Sequence, residues 1–156
     1  MSVVAWRIVQ RGFIRSAFTG EGARRFGGRW NSPGRAVVYT AGSQALAALE
    51  MLVHLDAERL LRNYVAIPVT IPGRLIRRVR LSDLPRNWKA YPAPATTRSI
   101  GDEWLAEENS PVLRVPSVVI PSEHNFLLNP AHRLFPKLRI GKACTFRFDP
   151  RLAGSA

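Results

Sequence analysis

The sequence predicts a single compact α+β domain, a central set of mixed or antiparallel strands with a few flanking helices. Three observations carry this. Short apolar runs recur along the chain, separated by turns rich in Gly and Pro. Only two segments, 43–55 and about 96–107, read as substantial helices. With 156 residues, 46% hydrophobic content and no linker long enough to divide it, the chain suits one core spanning 1–156.

The elements follow in order. Residues 3–9 (VVAWRIV) read as a first strand. Residues 10–35 are rich in Gly and Arg and read as irregular. Residues 36–40 form a second strand, and Thr40-Ala41-Gly42 turns the chain into a helix with Ser43 as N-cap. That helix runs to about residue 55, and a basic tail with Glu58, Arg59 and Arg62 extends it. Residues 64–71 (YVAIPVTI) are a third strand, with Pro68 arguing for an edge or a bulge. Residues 75–81 suggest another strand, and 86–94 a loop with Trp88, Tyr91 and two prolines. Thr96 or Thr97 is expected to cap the second helix, which carries Ile100, Trp104 and Leu105. Residues 112–120 are strand-like but broken at Pro116-Ser117. A mixed polar and apolar stretch follows, and residues 143–148 read as the last strand, with Cys144 a core thiol. The expectation is about six short strands and two or three helices.

Segment 43–55 (SQALAALEMLVHL) holds the anomaly. Its only ionisable side chains are Glu50 and His54. A helix this apolar all round is expected to be buried, and a buried carboxylate is costly unless paired, protonated or facing a cavity. Two readings stand at this point. Glu50 pairs structurally, with His54 one turn away or with an arginine, or it is the chemistry of the protein. His54 itself reads as structural.

Composition narrows the classes. The chain carries 23 basic and 11 acidic residues, a net charge of +12. Three of the basic residues are Lys (Lys89, Lys137, Lys142) and 20 are Arg. Residues 1–35 hold seven Arg against Glu21 alone, and residues 59–98 hold eight Arg and one Lys against Asp83 alone. Such surfaces attract phosphates, nucleic acids or an acidic protein. One cysteine excludes an internal disulfide, and the three histidines lack metal-ligand spacing, so no metal is expected. No apolar run approaches the roughly 20 residues that span a bilayer. With no signal-peptide pattern at the start, the expected location is the cytoplasm, with no membrane contact. The segment GEGARRFGG (20–28) has neither G-x-G-x-x-G spacing nor a GK[ST] ending.

What remains is a set of polar residues in apolar or Pro/Gly surroundings: Arg7, Arg29-Trp30-Asn31, Tyr39, Glu50, Ser117, Asn125 and Asn129. Singly, each has a plain structural reading. Arg7 fits a solvated strand face, Trp30 a core, Ser117 a turn, and Asn125 and Asn129 a turn cap. Together they resemble the RES domain family, the toxin half of RES–Xre toxin–antitoxin pairs, named for an Arg, a Glu and a Ser. The matching segments are WRIV (6–9), GGRWNSPGRAVVYTAGSQALAALEMLVHL (27–55), the Trp104-Leu105 region and VLRVPSVVIPSEHNFLLNPAH (112–132). The most specific features are G-R-W-N, a Tyr ten residues after the Arg, a Glu eleven after the Tyr, then VPS and N-x-x-x-NP.

The resemblance implies a fold like that of ADP-ribosyltransferase toxins, and an enzyme that takes NAD+ as substrate. It implies cleavage of the nicotinamide–ribose bond, with water or phosphate accepting ADP-ribose; the alternative acceptor is a side chain of a protein target. Glu50 is then the candidate for stabilising the oxocarbenium-like centre, with Arg29 and Tyr39 as its catalytic partners. Arg7 and Arg29 are candidates for gripping phosphate. Trp30, Tyr39, Ser117 and Asn125 are the other candidates for binding the dinucleotide. The implied partner is an Xre-like helix-turn-helix antitoxin that blocks the active site with acidic or C-terminal carboxylate groups, and DNA is met only through it. A rival reading from the +12 charge is a nucleic-acid-binding module or ribonuclease toxin. It calls for basic residues interleaved with exposed aromatics, and leaves Glu50 unexplained.

Overall fold

The computed structural model describes residues 1–154, so the last two residues of the expected domain lie outside the description. Eight strands form one mixed sheet: β1 (Ser2–Gln10), β2 (Val38–Ala41), β3 (Tyr64–Pro72), β4 (Ile76–Arg78), β5 (Val112–Pro116), β6 (His124–Leu128), β7 (Arg139–Ile140) and β8 (Cys144–Phe146). The order is β4-β5-β6-β2-β1-β3-β7, with β8 also on β3. Only β4 and β5 run parallel; the other pairs are antiparallel. The helices are α1 (Glu21–Phe26), α2 (Gln44–Leu52), α3 (Ala57–Leu60) and α4 (Ala95–Glu107). No helix among the described residues is long and apolar enough to cross a membrane.

Alternation along the central strands separates two cores. Val38, Val112, Phe126 and Leu128 belong to one apolar cluster. Residues on the opposite face of the same strands point the other way: Ala41 joins the cluster under α2, and Leu113, Val115 and Leu127 join the one under α4. On α4 the buried residues are Thr97, Gly101, Trp104 and Leu105, one helical stripe.

Several expectations need correction. Residues 21–26 are helical, and β6 and β7 add strands where none was expected. Helix α2 is capped by the Ser43 hydroxyl, which accepts from the Leu46 N–H. It ends at Leu52, and the basic tail is the separate turn α3, capped by Asp56. Nor is α2 buried all round: only Leu46 and Ala47 are, so one flank faces open space. The first turn of α4 has Pro94 at its N-cap, and Thr97 is buried behind it. Cys144 is exposed.

Pro68 is not at a sheet edge: β3 pairs along its whole length with β1. On its other side Pro68 lies between the residues paired to β8 and those paired to β7. Its carbonyl accepts from the Gly141 N–H on that side. Carbonyl and N–H of one strand residue point the same way, so the missing donor falls at the break between two short strands.

Candidate active site

Glu50 sits on the last full turn of α2 and is half-buried. One carboxylate oxygen, Oε1, accepts two hydrogen bonds: from the Ser117 hydroxyl at 2.6 Å and from the Asn125 side-chain amide at 2.9 Å. Ser117 is fully buried where β5 breaks. Its oxygen also accepts from the main-chain N–H groups of Val119 and Ile120, both at 3.1 Å. A hydroxyl has one proton and two lone pairs. With both lone pairs taken, the Ser117 proton can only go to Glu50. Asn125 arrives from β6, paired with Ala41 on β2 and Val115 on β5. The break after β5 and the start of β6 thus each supply one donor to a single carboxylate oxygen on α2. The other, Oε2, accepts no hydrogen bond among the described residues.

Arg29 lies in the turn between α1 and β2, where Gly28 and Asn31 form an isolated bridge. Its Nη1 donates to the carbonyls of Trp88 at 3.0 Å and Ala90 at 2.8 Å. Burial lowers the guanidinium pKa, while the Glu50 carboxylate pulls it in the opposite sense. An Arg stays protonated through such a shift.

Tyr39 holds this turn in place. Its hydroxyl donates to Asn31 Oδ1 at 2.6 Å and accepts from the Trp30 N–H at 3.2 Å. Burial raises the phenol pKa, so it stays protonated at neutral pH. Gly28 permits the approach, since a Cβ there would lie 2.6 Å from the Tyr39 oxygen. Trp30 does not join the polar group: its indole is in the core, 6.4 Å from Trp88 between ring centroids.

Arg7 does not lie on a solvated strand face. β1 and β2 share one registered pair, Trp6 opposite Ala41. Where they part, Arg7 donates from Nη1 to the Tyr39 carbonyl at 3.0 Å and from Nε to the Ala17 carbonyl. Its burial lowers its pKa. Beside it opens a cleft of about 610 Å³ lined by Arg7, Phe13, Arg25, Phe26, Met51 and Tyr64, among others. That volume is in the range of small-molecule sites. Met51 follows Glu50 on α2, so cleft and carboxylate occupy adjacent flanks of one helix.

The remaining candidates stand apart. His54 is exposed past the end of α2. Asn129 caps a turn through the Ala131 N–H. Among the described residues, no group of three or more His, Cys, Asp or Glu could hold a metal ion. Sequence reasoning missed Ser32 and Asp102, which join the Arg29 turn to α4. A glycine inside a helical segment, Gly101, was the available signal.

A model of the RES domain matches residues 4–149. A protein named Toxin Res from Yersinia enterocolitica serotype O:8 / biotype 1B is 44% identical over 151 residues, covering 96% of this chain and 99% of that one. The Prs ADP-ribosylating toxin of Sphingobium sp. strain YBL2 is 35% identical over 161 residues and covers 100% of both chains. Among solved structures, a chain of the M. tuberculosis MbcT-MbcA toxin-antitoxin complex superposes with a TM-score of 0.76 at 21% identity, over 98% of this chain and 87% of that one. That likeness concerns the fold.

Proposed function

The chain belongs to the RES domain family, and from that premise we propose that it is the toxin of a toxin–antitoxin pair that cleaves the nicotinamide–ribose bond of NAD+. The observation that carries the reading is the Glu50 carboxylate, with one oxygen fixed by Ser117 and Asn125 and the other available.

The chemistry follows from that arrangement. The C1″–N bond breaks and its electron pair goes to the nicotinamide ring, which leaves neutral. Positive charge develops at C1″ and the ring oxygen of the ribose. The fixed carboxylate stabilises that charge and holds the ribose hydroxyls through Oε2. A water or phosphate oxygen then bonds to C1″, and water loses its proton to solvent. Arg7 uses Nε and Nη1 on main-chain carbonyls, which leaves Nη2 and the adjoining cleft for the pyrophosphate. Arg29 takes the phosphate or ribose side nearest Glu50. Tyr39 contributes its ring, since its hydroxyl is committed to Asn31 and the Trp30 N–H. Ser117 hydrogen-bonds Glu50 and not the ribose, and acts through it.

A second acceptor, a protein side chain, is favoured by the 35% identity to a protein named as an ADP-ribosylating toxin. The antitoxin in either case is a helix-turn-helix protein that presents carboxylates to Arg7 and Arg29 and brings any DNA contact with it.

The test incubates the purified chain with NAD+ in buffers with and without phosphate, and with cell lysate and labelled NAD+. Nicotinamide release that Glu50→Gln abolishes supports the reading. ADP-ribose, its 1″-phosphate or a labelled protein names the acceptor. Absence of nicotinamide release under all three conditions overturns it.

A further inference from the structure

Gly101 lies in the middle of α4, where glycine weakens a helix relative to alanine. A Cβ at this position would lie 1.5 Å from the Trp30 carbonyl oxygen. Only glycine lets the helix sit this close to the turn that carries Arg29. The next residue, Asp102, faces the same turn with both oxygens. Oδ1 accepts from the Ser32 N–H at 2.9 Å and Oδ2 from the Ser32 hydroxyl at 2.6 Å. Bonds to a carboxylate are the stronger kind.

The Arg29 turn has little regular structure of its own. Apart from the Gly28–Asn31 bridge, it is held by Tyr39 on one side and by α4 on the other, with Asn31 also donating to the Ala23 carbonyl and the Arg29 guanidinium to those of Trp88 and Ala90. Removing the α4 contacts leaves the Tyr39 contacts in place, so the turn shifts while the core persists. A displacement of about 1 Å at a reacting centre is enough to lower a rate about 100-fold.

We propose that Gly101 and Asp102 of α4 are the positioning device for Arg29: the helix seats on the Trp30 carbonyl and clamps Ser32, which sets the guanidinium relative to Glu50. Asp102 is a positioning residue, 70 positions from Ser32 in the chain, and touches no substrate. The activity arm of its test rests on the NAD+-cleaving reading; the exchange arm does not.

The experiment compares wild type with Asp102→Ala, Asp102→Asn and Ser32→Ala, and repeats Asp102→Ala in an Arg29→Ala background. Thermal midpoints confirm that each variant is folded at the assay temperature. If Asp102→Ala is not, Asp102→Asn and Ser32→Ala carry the test. Expected are a 10- to 100-fold loss of kcat in Asp102→Ala and faster amide exchange across residues 28–33. Asp102→Asn, whose Oδ1 still accepts from the Ser32 N–H, recovers most of the rate. With Arg29 already removed, Asp102→Ala costs nothing further. A loss that multiplies fully with Arg29→Ala marks a merely structural residue and overturns the proposal. So does unchanged exchange across 28–33, whatever the activity. A wild type that releases no nicotinamide counts against the proposed function, and the exchange result then decides this inference alone.

Discussion

Glu50 and Arg7 are both charges drawn partly out of water, but they are held in different ways. Glu50 is fixed by side chains, Ser117 and Asn125, that converge from a strand break and a neighbouring strand. Arg7 is fixed by main-chain carbonyls of Ala17 and Tyr39, at the point where β1 leaves β2. The first arrangement depends on which residues stand at three positions. The second depends on the path of the backbone. Substitution of Glu50 itself is therefore expected to change chemistry with little effect on folding, and substitution of Arg7 to change both.

Glu50→Gln keeps the shape and removes the charge. It is expected to lower nicotinamide release about 100- to 1,000-fold with a thermal midpoint close to wild type. An equal loss of stability would erase the contrast with Arg7. Ser117→Ala removes one of the two donors and leaves the Val119 and Ile120 N–H groups without their acceptor. The expected loss is about tenfold in kcat, with KM little changed, measured by steady-state kinetics.

Arg7→Met leaves two carbonyls without donors. A cost of about 1–3 kcal/mol for each is expected in urea unfolding, together with weaker NAD+ binding. Unchanged stability would show that the carbonyls find water and that the backbone account of Arg7 is wrong. Tyr39→Phe removes the bonds to Asn31 and the Trp30 N–H. About 1–2 kcal/mol is expected, as well as a slower enzyme through the displaced Arg29 turn.

The smallest effect concerns pH. His124, next to Asn125, has its pKa lowered by burial and by Arg114, against an opposing pull from Glu123. The unfolded chain therefore binds more protons than the folded one near and below the ordinary His value of about 6.5. Stability contributed by the neutral ring is present above that value and declines as pH falls through it. His124→Gln should flatten the fall in unfolding midpoint between about pH 7 and 5. A slope that persists unchanged assigns it to other groups.

The same contrast explains what the sequence disclosed. Glu50 was legible because a lone carboxylate in an apolar helix is a local anomaly, and Ser43 capped that helix as a local signal should. The break at Pro116-Ser117 was equally local, and it delivers the Ser117 hydroxyl. The family pattern gathered these residues across the chain. The seat of Arg7 was not legible: β1 alternates like any strand, and nothing in residues 3–9 tells that β2 will part from it after Trp6. Strand β6 was missed because HNFLL is short and three of its residues, Phe126, Leu127 and Leu128, are buried on successive faces, which removes the alternation that marks a half-exposed strand. The seat of the Ser117 hydroxyl was not legible either. Its partners are chosen by a turn and by a helix 67 positions away in sequence, and only the fold brings them together.

The most direct test of the account is a structure of the Glu50→Gln variant with NAD+ bound. The account predicts the nicotinamide ribose beside residue 50, a hydroxyl within about 3.2 Å of the side-chain position that Oε2 occupies, and the pyrophosphate on the Arg7 side. A dinucleotide bound with its nicotinamide ribose away from residue 50 would contradict it.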